Sequence, residues 1–145
     1  MSATRIERTI EITAAPERIW AVMTDVERWH EWTESITSVR LLDGAALRPG
    51  ARAEIRQPKF PALVWRVTSV EPLRSFTWEA RAPGSHTVAT HEIAAVGPGR
   101  CVVALRVVQR GWLARLLRRW METASQRYVE MEAQGLKRRC EEPVI

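Results

Sequence analysis

The sequence predicts an α+β domain in which one curved antiparallel sheet is covered by a single long C-terminal helix. Short extended runs separated by glycine and proline fill the middle of the chain, which is typical of consecutive antiparallel strands. After Gly111, apolar residues recur at spacings of three and four, which indicates a helix. A chain of 145 residues has the length of one domain, so we expect residues 1–145 to form a single unit.

The chain opens with a predicted strand and two short helices. Residues 6–13 alternate between apolar and polar side chains, as in a half-buried strand. A short helix is predicted to begin at Pro16, because proline is tolerated in a first helical turn. A second is predicted over Val26–Trp32, where Trp29 and Trp32 share a face. We expect these two indoles to anchor the short helices against the sheet or its rim.

Further strands and the final helix complete the predicted order. The strands are Ile36–Leu42, Ala51–Gln57, Leu63–Val70, Ser75–Ala80, Ser85–Ala95 and Cys101–Gln109. The helix is predicted to run to about Arg139, a length of ~40 Å at ~1.5 Å per residue, with Gly135 fraying or bending its end. Its predicted buried stripe is Leu113, Leu117, Trp120, Met121, Ala124, Tyr128 and Met131.

Strand parity predicts which side chains face the helix, because antiparallel partners keep a constant index sum. A four-residue loop from Glu71 to Arg74 gives the pairs Trp65 with Ala80, Val67 with Trp78 and Ser69 with Phe76. A two-residue turn at Pro83-Gly84 then sets His91 beside Phe76 on the inner face.

The last hairpin has two possible registers. A three-residue loop at 97–99 turns Val103 and Leu105 inward. A loop with an even number of residues would instead bury Arg106, and an unpaired buried guanidinium is costly. The odd loop is therefore the preferred interpretation.

Composition and motifs argue against several function classes. The net charge of +5 and a pI near 10.2 raise nucleic acid as a partner, but no recognised binding motif accompanies them, so we expect none. His86 and His91 are predicted to point to opposite faces of one strand, so they cannot chelate one ion together, and we expect neither metal nor cofactor. The N-terminus lacks the apolar stretch of a signal peptide, which predicts a cytoplasmic protein.

Several motifs together resemble the START-related helix-grip superfamily, specifically its polyketide cyclase/dehydrase-like SRPBCC branch. They are Ala15-Pro16-Glu17-Arg18-Ile19-Trp20, Thr24-Asp25-Val26-Glu27-Arg28-Trp29, Pro49-Gly50, the strand His91-Glu92-Ile93 and the amphipathic C-terminal helix. The resemblance covers nearly the whole chain. It implies a seven-stranded sheet that grips the C-terminal helix around an apolar cavity. Members carry lipids, hormones or polyketides, and some catalyse cyclisation, so the fold does not choose among these uses.

In such a cavity the inward residues become candidate ligand contacts. The predicted walls are Trp65, Phe76, Trp78, Val103, Leu105, Met121 and Tyr128, with His91 as the polar orienting group. The competing interpretation is ordinary core packing, with His91 satisfied by Tyr128 or by backbone. No inward carboxylate is predicted to pair with His91.

Three functions follow as alternatives. The preferred one is binding or transport of an apolar small molecule, such as a lipid, isoprenoid or polyketide-like compound. The second is a polyketide cyclase or dehydratase that uses His91 and Tyr128 for proton transfer. The third is a non-catalytic protein-interaction module with a collapsed cavity. Cavity volume separates the third from the others, because a ligand site offers ~300 Å³ or more, whereas a packed core leaves only voids near the size of a water molecule.

Two surface features bear on access to that cavity. The loops around Phe60 and Pro83-Gly84 are predicted to gate it. A basic patch of arginines beside Trp112, namely Arg110, Arg115, Arg118 and Arg119, suggests contact with anionic lipid headgroups. A solvated helix face is the competing interpretation of this patch. The sequence leaves the ligand and the oligomeric state open.

Overall fold

The computed structural model describes residues 3–44 and 46–143. The elements are β1 (Thr4–Ile12), α1 (Pro16–Thr24), a 3₁₀ helix (Val26–Glu31), β2 (Ser38–Leu41), β3 (Arg52–Gln57), β4 (Phe60–Glu71), β5 (Ser75–Ala82), β6 (Ser85–Gly97), β7 (Arg100–Arg110), α2 (Trp112–Leu116) and α3 (Arg118–Glu141). No helix in the described ranges is long and apolar enough to cross a membrane.

One antiparallel sheet of seven strands forms the body of the molecule, in the order β1-β7-β6-β5-β4-β3-β2. The first strand pairs with the last, so β1 lies at one edge and β2 at the other. Helix α3 lies across the inner face of this sheet, next to β1 and β7. This is the predicted helix-grip architecture, including the short helices between β1 and β2.

Most of the predicted register is confirmed. Val67 pairs with Trp78, Trp65 with Ala80, and Phe76 with His91. The predicted pairing of Ser69 with Phe76 is wrong, because a bulge between Val67 and Ser69 shifts the register by one residue. Beyond this bulge, Val70 pairs with Phe76 and Ser69 with Thr77. An extra residue in one strand of a pair produces this kind of shift.

The β6–β7 hairpin turns the predicted face inward. His91 pairs with Leu105 and Ile93 with Val103. The turn itself differs from the predicted three-residue loop, because Gly97 pairs with Arg100 and a bulge follows Ala95. Both arrangements preserve the parity, so Arg106 faces outward, where it forms ion pairs with Glu7 and Glu92.

The predicted single final helix is interrupted near its start. Helix α2 ends at Leu116, and α3 begins at Arg118 after the non-helical backbone of Leu117. Two residues of the predicted buried stripe, Leu117 and Trp120, are consequently exposed at this break. The predicted fraying at Gly135 is wrong, since α3 continues through it to Glu141.

The C-terminal half of α3 packs tightly against the short helices and β1. A Cβ atom at Gly135 would collide with the backbone carbonyl oxygen of Trp32, so only glycine allows this close approach. Ala133 and Leu136 beside it are fully buried. We call this region, built around Trp32 and residues 133–136, the closed end of the space between sheet and helix.

Candidate ligand cavity

At the opposite end, sheet and helix enclose a cavity of about 250 Å³. Strands β3 to β7 supply its floor, and α2 with the first half of α3 supplies its roof. The floor residues are Ile55, Gln57, Phe60, Pro61, Leu63, Trp65, Trp78, Ala82, Ser85, Thr87, Ala89, His91, Val107 and Gln109. The roof residues are Leu113, Leu117, Trp120, Met121, Ser125, Tyr128, Val129 and Glu132, and Trp29 and Ile36 close the inner end. We call this region the open end.

Three indoles form an aromatic wall at the inner end of the cavity. The ring centroids of Trp29 and Trp78 are 5.3 Å apart, and those of Trp65 and Trp78 are 5.8 Å apart. Trp29 is held in place by its own Nε1, which donates a hydrogen bond to the Met23 carbonyl at 3.0 Å. The expectation for Trp29 was therefore incomplete, because this residue anchors the short helices and lines the cavity as well.

The structure brings only part of the predicted wall to the cavity. Trp65, Trp78, His91, Met121 and Tyr128 line it. Phe76, Val103 and Leu105 were predicted to line it as well, but they are not on its surface. All three face inward as parity requires, but they are buried in the core cluster toward the closed end.

Phe76 supports the cavity indirectly. Its ring stacks on the His91 imidazole, with centroids 4.1 Å apart and an angle of 6° between the planes. Trp29 approaches the same imidazole from another side, with centroids 5.5 Å apart. Since these rings fix the plane of His91, its polar edge has a defined direction.

Both ring nitrogens of His91 have partners. Nδ1 lies 3.3 Å from the backbone oxygen of Phe76, and Nε2 lies 3.4 Å from Oε1 of Glu132. The His91 side chain is 5 % exposed and that of Glu132 is 17 % exposed. The expectation of no inward carboxylate is therefore wrong. Helical spacing could have predicted this carboxylate, because Glu132 follows the inward Tyr128 by four residues and so lies on the same face of the helix.

The contact between His91 and Glu132 depends on which of the two side chains carries a hydrogen at this point. The Phe76 carbonyl can only accept, so Nδ1 carries a hydrogen. Nε2 then faces a carboxyl group, and a favourable contact between them requires one further proton on either the imidazole or Glu132. We call the two residues the His91–Glu132 dyad. The dyad places an imidazole and a carboxyl group next to each other at an otherwise apolar surface.

Tyr128 contacts a different part of the wall. Its hydroxyl oxygen accepts a hydrogen bond from the backbone N–H of Lys59 at 2.9 Å. Its ring meets Phe60 edge-on with centroids 5.7 Å apart. Of the two partners predicted for His91, the structure shows the backbone carbonyl and not Tyr128. Tyr128 instead ties the β3–β4 turn to α3. No acceptor among the described residues pairs with the O–H of Tyr128, so this hydroxyl keeps a free donor in the cavity wall.

Two further polar groups in the wall carry atoms without partners among the described residues. They are the indole Nε1 of Trp65 and the amide Oε1 of Gln109, both buried. The amide Nε2 of Gln109 donates to the Ser125 hydroxyl at 3.1 Å. A buried donor or acceptor without a partner costs free energy, so each favours a polar contact from a bound molecule.

The outer rim of the cavity is formed by the break between α2 and α3 and by the β3–β4 turn. Phe60 and Trp120 meet across it, with ring centroids 5.2 Å apart. Leu117 and Trp120 are exposed on one side and line the cavity on the other. On the far side, the backbone N–H of Leu113 donates to the Gly84 carbonyl at 2.9 Å, which ties α2 to the β5–β6 turn.

The cysteines and the remaining histidines lie outside this site. Cys101 and Cys140 are buried free thiols, and burial raises the pKa of Cys140 to about 12. His86 points to the outer face of the sheet, where Nε2 lies 2.9 Å from Glu79. Within residues 3–44 and 46–143, no three His, Cys, Asp or Glu side chains come together as metal ligands would.

A seven-stranded sheet gripping a long helix around an apolar cavity defines a member of the START/SRPBCC superfamily. The chain belongs to the family described as polyketide cyclase / dehydrase and lipid transport, whose model matches residues 3–141. No protein of curated function matches it in sequence.

Solved structures share the fold at low identity. An aromatase/cyclase from a Streptomyces species (Zhui) has a TM-score of 0.80 and 14% identity, covering 97% of this chain and 94% of that one. Truncated norcoclaurine synthase from Thalictrum flavum has a TM-score of 0.78 and 11% identity, covering 99% and 96%. A START superfamily protein from Mycobacterium smegmatis has a TM-score of 0.75 and 16% identity, covering 97% and 98%.

Proposed function

We propose that this protein binds a compact apolar molecule in the cavity of the open end and orients it through a polar group at the His91–Glu132 dyad. The observation that carries the proposal is an apolar cavity of about 250 Å³ in which His91 on the floor lies 3.4 Å from Glu132 on the roof. Family membership supports hydrophobic-ligand binding or cyclase activity in general and does not choose between them.

Cavity size narrows the class of ligand. An apolar cavity of ~150 Å³ holds benzene, and pockets for drug-sized ligands begin near ~300 Å³. At about 250 Å³ the volume fits a molecule larger than one aromatic ring. Among the candidate classes, this favours a bicyclic or otherwise compact polyketide- or isoprenoid-like compound over a long-chain lipid. The indoles of Trp29, Trp65 and Trp78 supply flat faces for such rings.

Polar recognition follows from the wall chemistry. The dyad offers a hydrogen bond to a ligand hydroxyl or carbonyl, and the unpartnered Trp65 Nε1 offers a second donor. A hydroxylated ring system would satisfy these groups, whereas a pure hydrocarbon would leave them unpaired. We therefore expect the protein to prefer a hydroxylated aromatic ligand over its parent hydrocarbon.

Paired titrations with naphthalene and 2-naphthol test the proposal. We expect 2-naphthol to bind at least tenfold more tightly, and Glu132→Leu to remove most of this preference, since a hydrogen bond to a charged group contributes ~1.5–3 kcal/mol. Ala89→Leu fills the cavity floor and should abolish binding of both compounds. The matched control is Ala94→Leu, on the same strand but exposed on its outer face.

Two results would contradict the proposal. One is that Ala89→Leu binds each compound as tightly as the wild type does, which would mean that the compounds bind outside the cavity. The other is no measurable binding of either compound to the wild type, which would favour a non-catalytic interaction module. Glu130→Gln, on the exposed face of α3, controls for a general loss of charge.

The dyad also favours a second candidate, a cyclase or dehydratase. Ring closure by an aldol-type step removes a proton from the attacking carbon and delivers one to the carbonyl oxygen. A pair that shares one proton can perform both transfers, and the Tyr128 O–H can donate beside it. This candidate extends the proposed binding site and uses the same residues.

Turnover of a linear poly-β-ketone thioester tests the second candidate. If the protein is a cyclase, His91→Ala should lower kcat by ~10²-fold or more while naphthalene affinity stays within twofold. Tyr128→Phe should give a smaller loss. Equal losses of turnover and naphthalene affinity, or no turnover by the wild type, would leave binding as the function.

A further inference from the structure

The segment 112–120, which forms α2 and the start of α3, exposes an unusual amount of apolar surface. Trp112 is 66% exposed, Leu116 is 73% exposed and Trp120 is 48% exposed. Every residue of the segment except Leu113 and Ala114 is exposed. Nothing in the fold of the described residues covers this ridge.

The same ridge is strongly basic. Residues 110–122 contain four arginines and one glutamate, a net charge of +3 out of the +5 of the whole chain. Several arginines elsewhere on the surface pair with carboxylates, as in Arg52 with Asp43 and Arg139 with Glu31. Those without such a pair among the described residues, such as Arg48 and Arg74, lie apart from exposed tryptophan. On the ridge, Arg118 pairs with Glu122 at 3.7 Å. Arg110 and Arg119 have no carboxylate within ion-pair distance in the described part of the chain.

We propose that the 112–120 segment docks on the surface of an anionic lipid bilayer. Trp112, Leu116 and Trp120 enter the headgroup region, and Arg110, Arg118 and Arg119 bind lipid phosphates. A short helical ridge with exposed tryptophan and leucine among arginines is the arrangement that binds such an interface. An acidic protein partner is the weaker alternative, because a stable protein interface takes about 20–30 residues a side, and this ridge is a single short segment.

Docking in this orientation would bring the bilayer to the rim of the cavity. Leu117 and Trp120 lie on the ridge and also line the cavity, so a molecule leaving the bilayer would pass only one layer of side chains. This consequence rests on the proposed function. The docking itself does not, because it uses the outer face of the segment.

Sedimentation with vesicles tests the proposal. Phosphatidylcholine vesicles are compared with vesicles in which about a third of the lipid is phosphatidylglycerol. We expect at least tenfold tighter binding to the anionic vesicles than to the neutral ones. Adding about 0.5 M NaCl should weaken this binding, because salt screens the attraction between exposed charges. The double variant Arg118→Gln/Arg119→Gln should lower that binding by about tenfold or more, at about fivefold per arginine. Leu116→Ser should lower it several-fold.

Matched controls come from other parts of the surface. Val96→Ser removes an exposed apolar residue and Arg48→Gln an exposed arginine, both away from the ridge, and both should bind vesicles like the wild type. Naphthol binding is measured on every variant. Ridge variants that lose vesicle binding but keep naphthol binding support a separate docking surface.

Three outcomes would overturn the proposal. They are equal binding to both kinds of vesicle, wild-type vesicle binding by the ridge variants, and binding to soluble polyglutamate without binding to vesicles. The last would indicate an acidic protein surface instead. Loss of naphthol binding by Ala89→Leu with vesicle binding retained shows that the cavity and the ridge act independently.

Discussion

The two ends of the space between sheet and helix differ in how closely α3 approaches its neighbours. At the closed end, Ala133 and Gly135 let the helix backbone pack directly on the Trp32 backbone. At the open end, the larger Met121 and Tyr128 line the cavity from the helix, and small side chains such as Ala89 line it from the sheet. One helix therefore stabilises the fold at one end and leaves a cavity at the other.

Polar contacts reinforce the same division. At the closed end, side-chain cations bond to backbone carbonyls, with Arg138 donating to Trp32 at 2.9 Å and Lys137 donating to Glu11 at 2.9 Å. At the open end, Trp65 Nε1 and Gln109 Oε1 are left without partners in the described residues. Arg18 Nε, beside the C-terminal part of α3, is also buried without a partner among those residues, so what distinguishes the open end is that its unpartnered atoms line a cavity.

The largest expected effect on stability comes from adding a side chain at Gly135, where the helix touches the Trp32 backbone. Gly135→Ala should lower the free energy of unfolding by about 3 kcal/mol, because the new methyl group collides with the backbone of Trp32. Helix propensity alone would raise it by ~1 kcal/mol. Urea denaturation measures the difference, with the exposed neighbour Gln134→Ala as control. A variant as stable as wild type would show that the closed end is not tightly packed.

A matched pair of alanines compares the two ends directly. Ala133→Leu overpacks the closed end and should cost about 2 kcal/mol, whereas Ala89→Leu enters the cavity and should change stability by less than about 0.5 kcal/mol. The same denaturation series measures both. Equal costs would mean that the cavity collapses around its own side chains and that the ends do not differ.

Alkaline unfolding probes the closed end through Cys140. Burial raises the pKa of this thiol to about 12, from an ordinary value of 9.0, so the folded chain holds the proton more tightly than the unfolded chain. The resulting stability is full below pH 9 and is lost as the pH rises toward 12. Between pH 7 and pH 10 the wild type should lose about 1.4 kcal/mol more than Cys140→Ala. Parallel pH dependence of the two proteins would contradict the assigned burial.

Sequence reasoning predicted the fold well because period and parity are local properties. The alternation of β5 and β6 placed Trp78, Ala89 and His91 on the inner face without any knowledge of the helix. The same reasoning could not locate the boundary of the cavity. Phe76 and Leu105 face inward just as Trp65 does, and which of these side chains lines the cavity depends on how the final helix packs on the sheet.

The residues that were missed depend on contacts between distant elements. Trp29 reaches the cavity because the 3₁₀ helix folds over the sheet, and no spacing within residues 26–31 specifies that. Glu132 was accessible to sequence reasoning through its spacing from Tyr128, but charged residues on a helix are ordinarily exposed. The bulge after Val67 has no sequence signature, and it moved one predicted pair by one residue.

The smallest expected effect lies on the outer face of the open end. Leu116→Ser should change the free energy of unfolding by less than about 0.5 kcal/mol, because an exposed leucine gains little from folding. Leu136→Ser, at a fully buried position of the same type in the closed end, should cost several times more. Thermal and urea unfolding of the pair measure the contrast. A large loss for Leu116→Ser would mean that the ridge is packed in solution, which would contradict its role as a free docking surface as well as the division between the two ends.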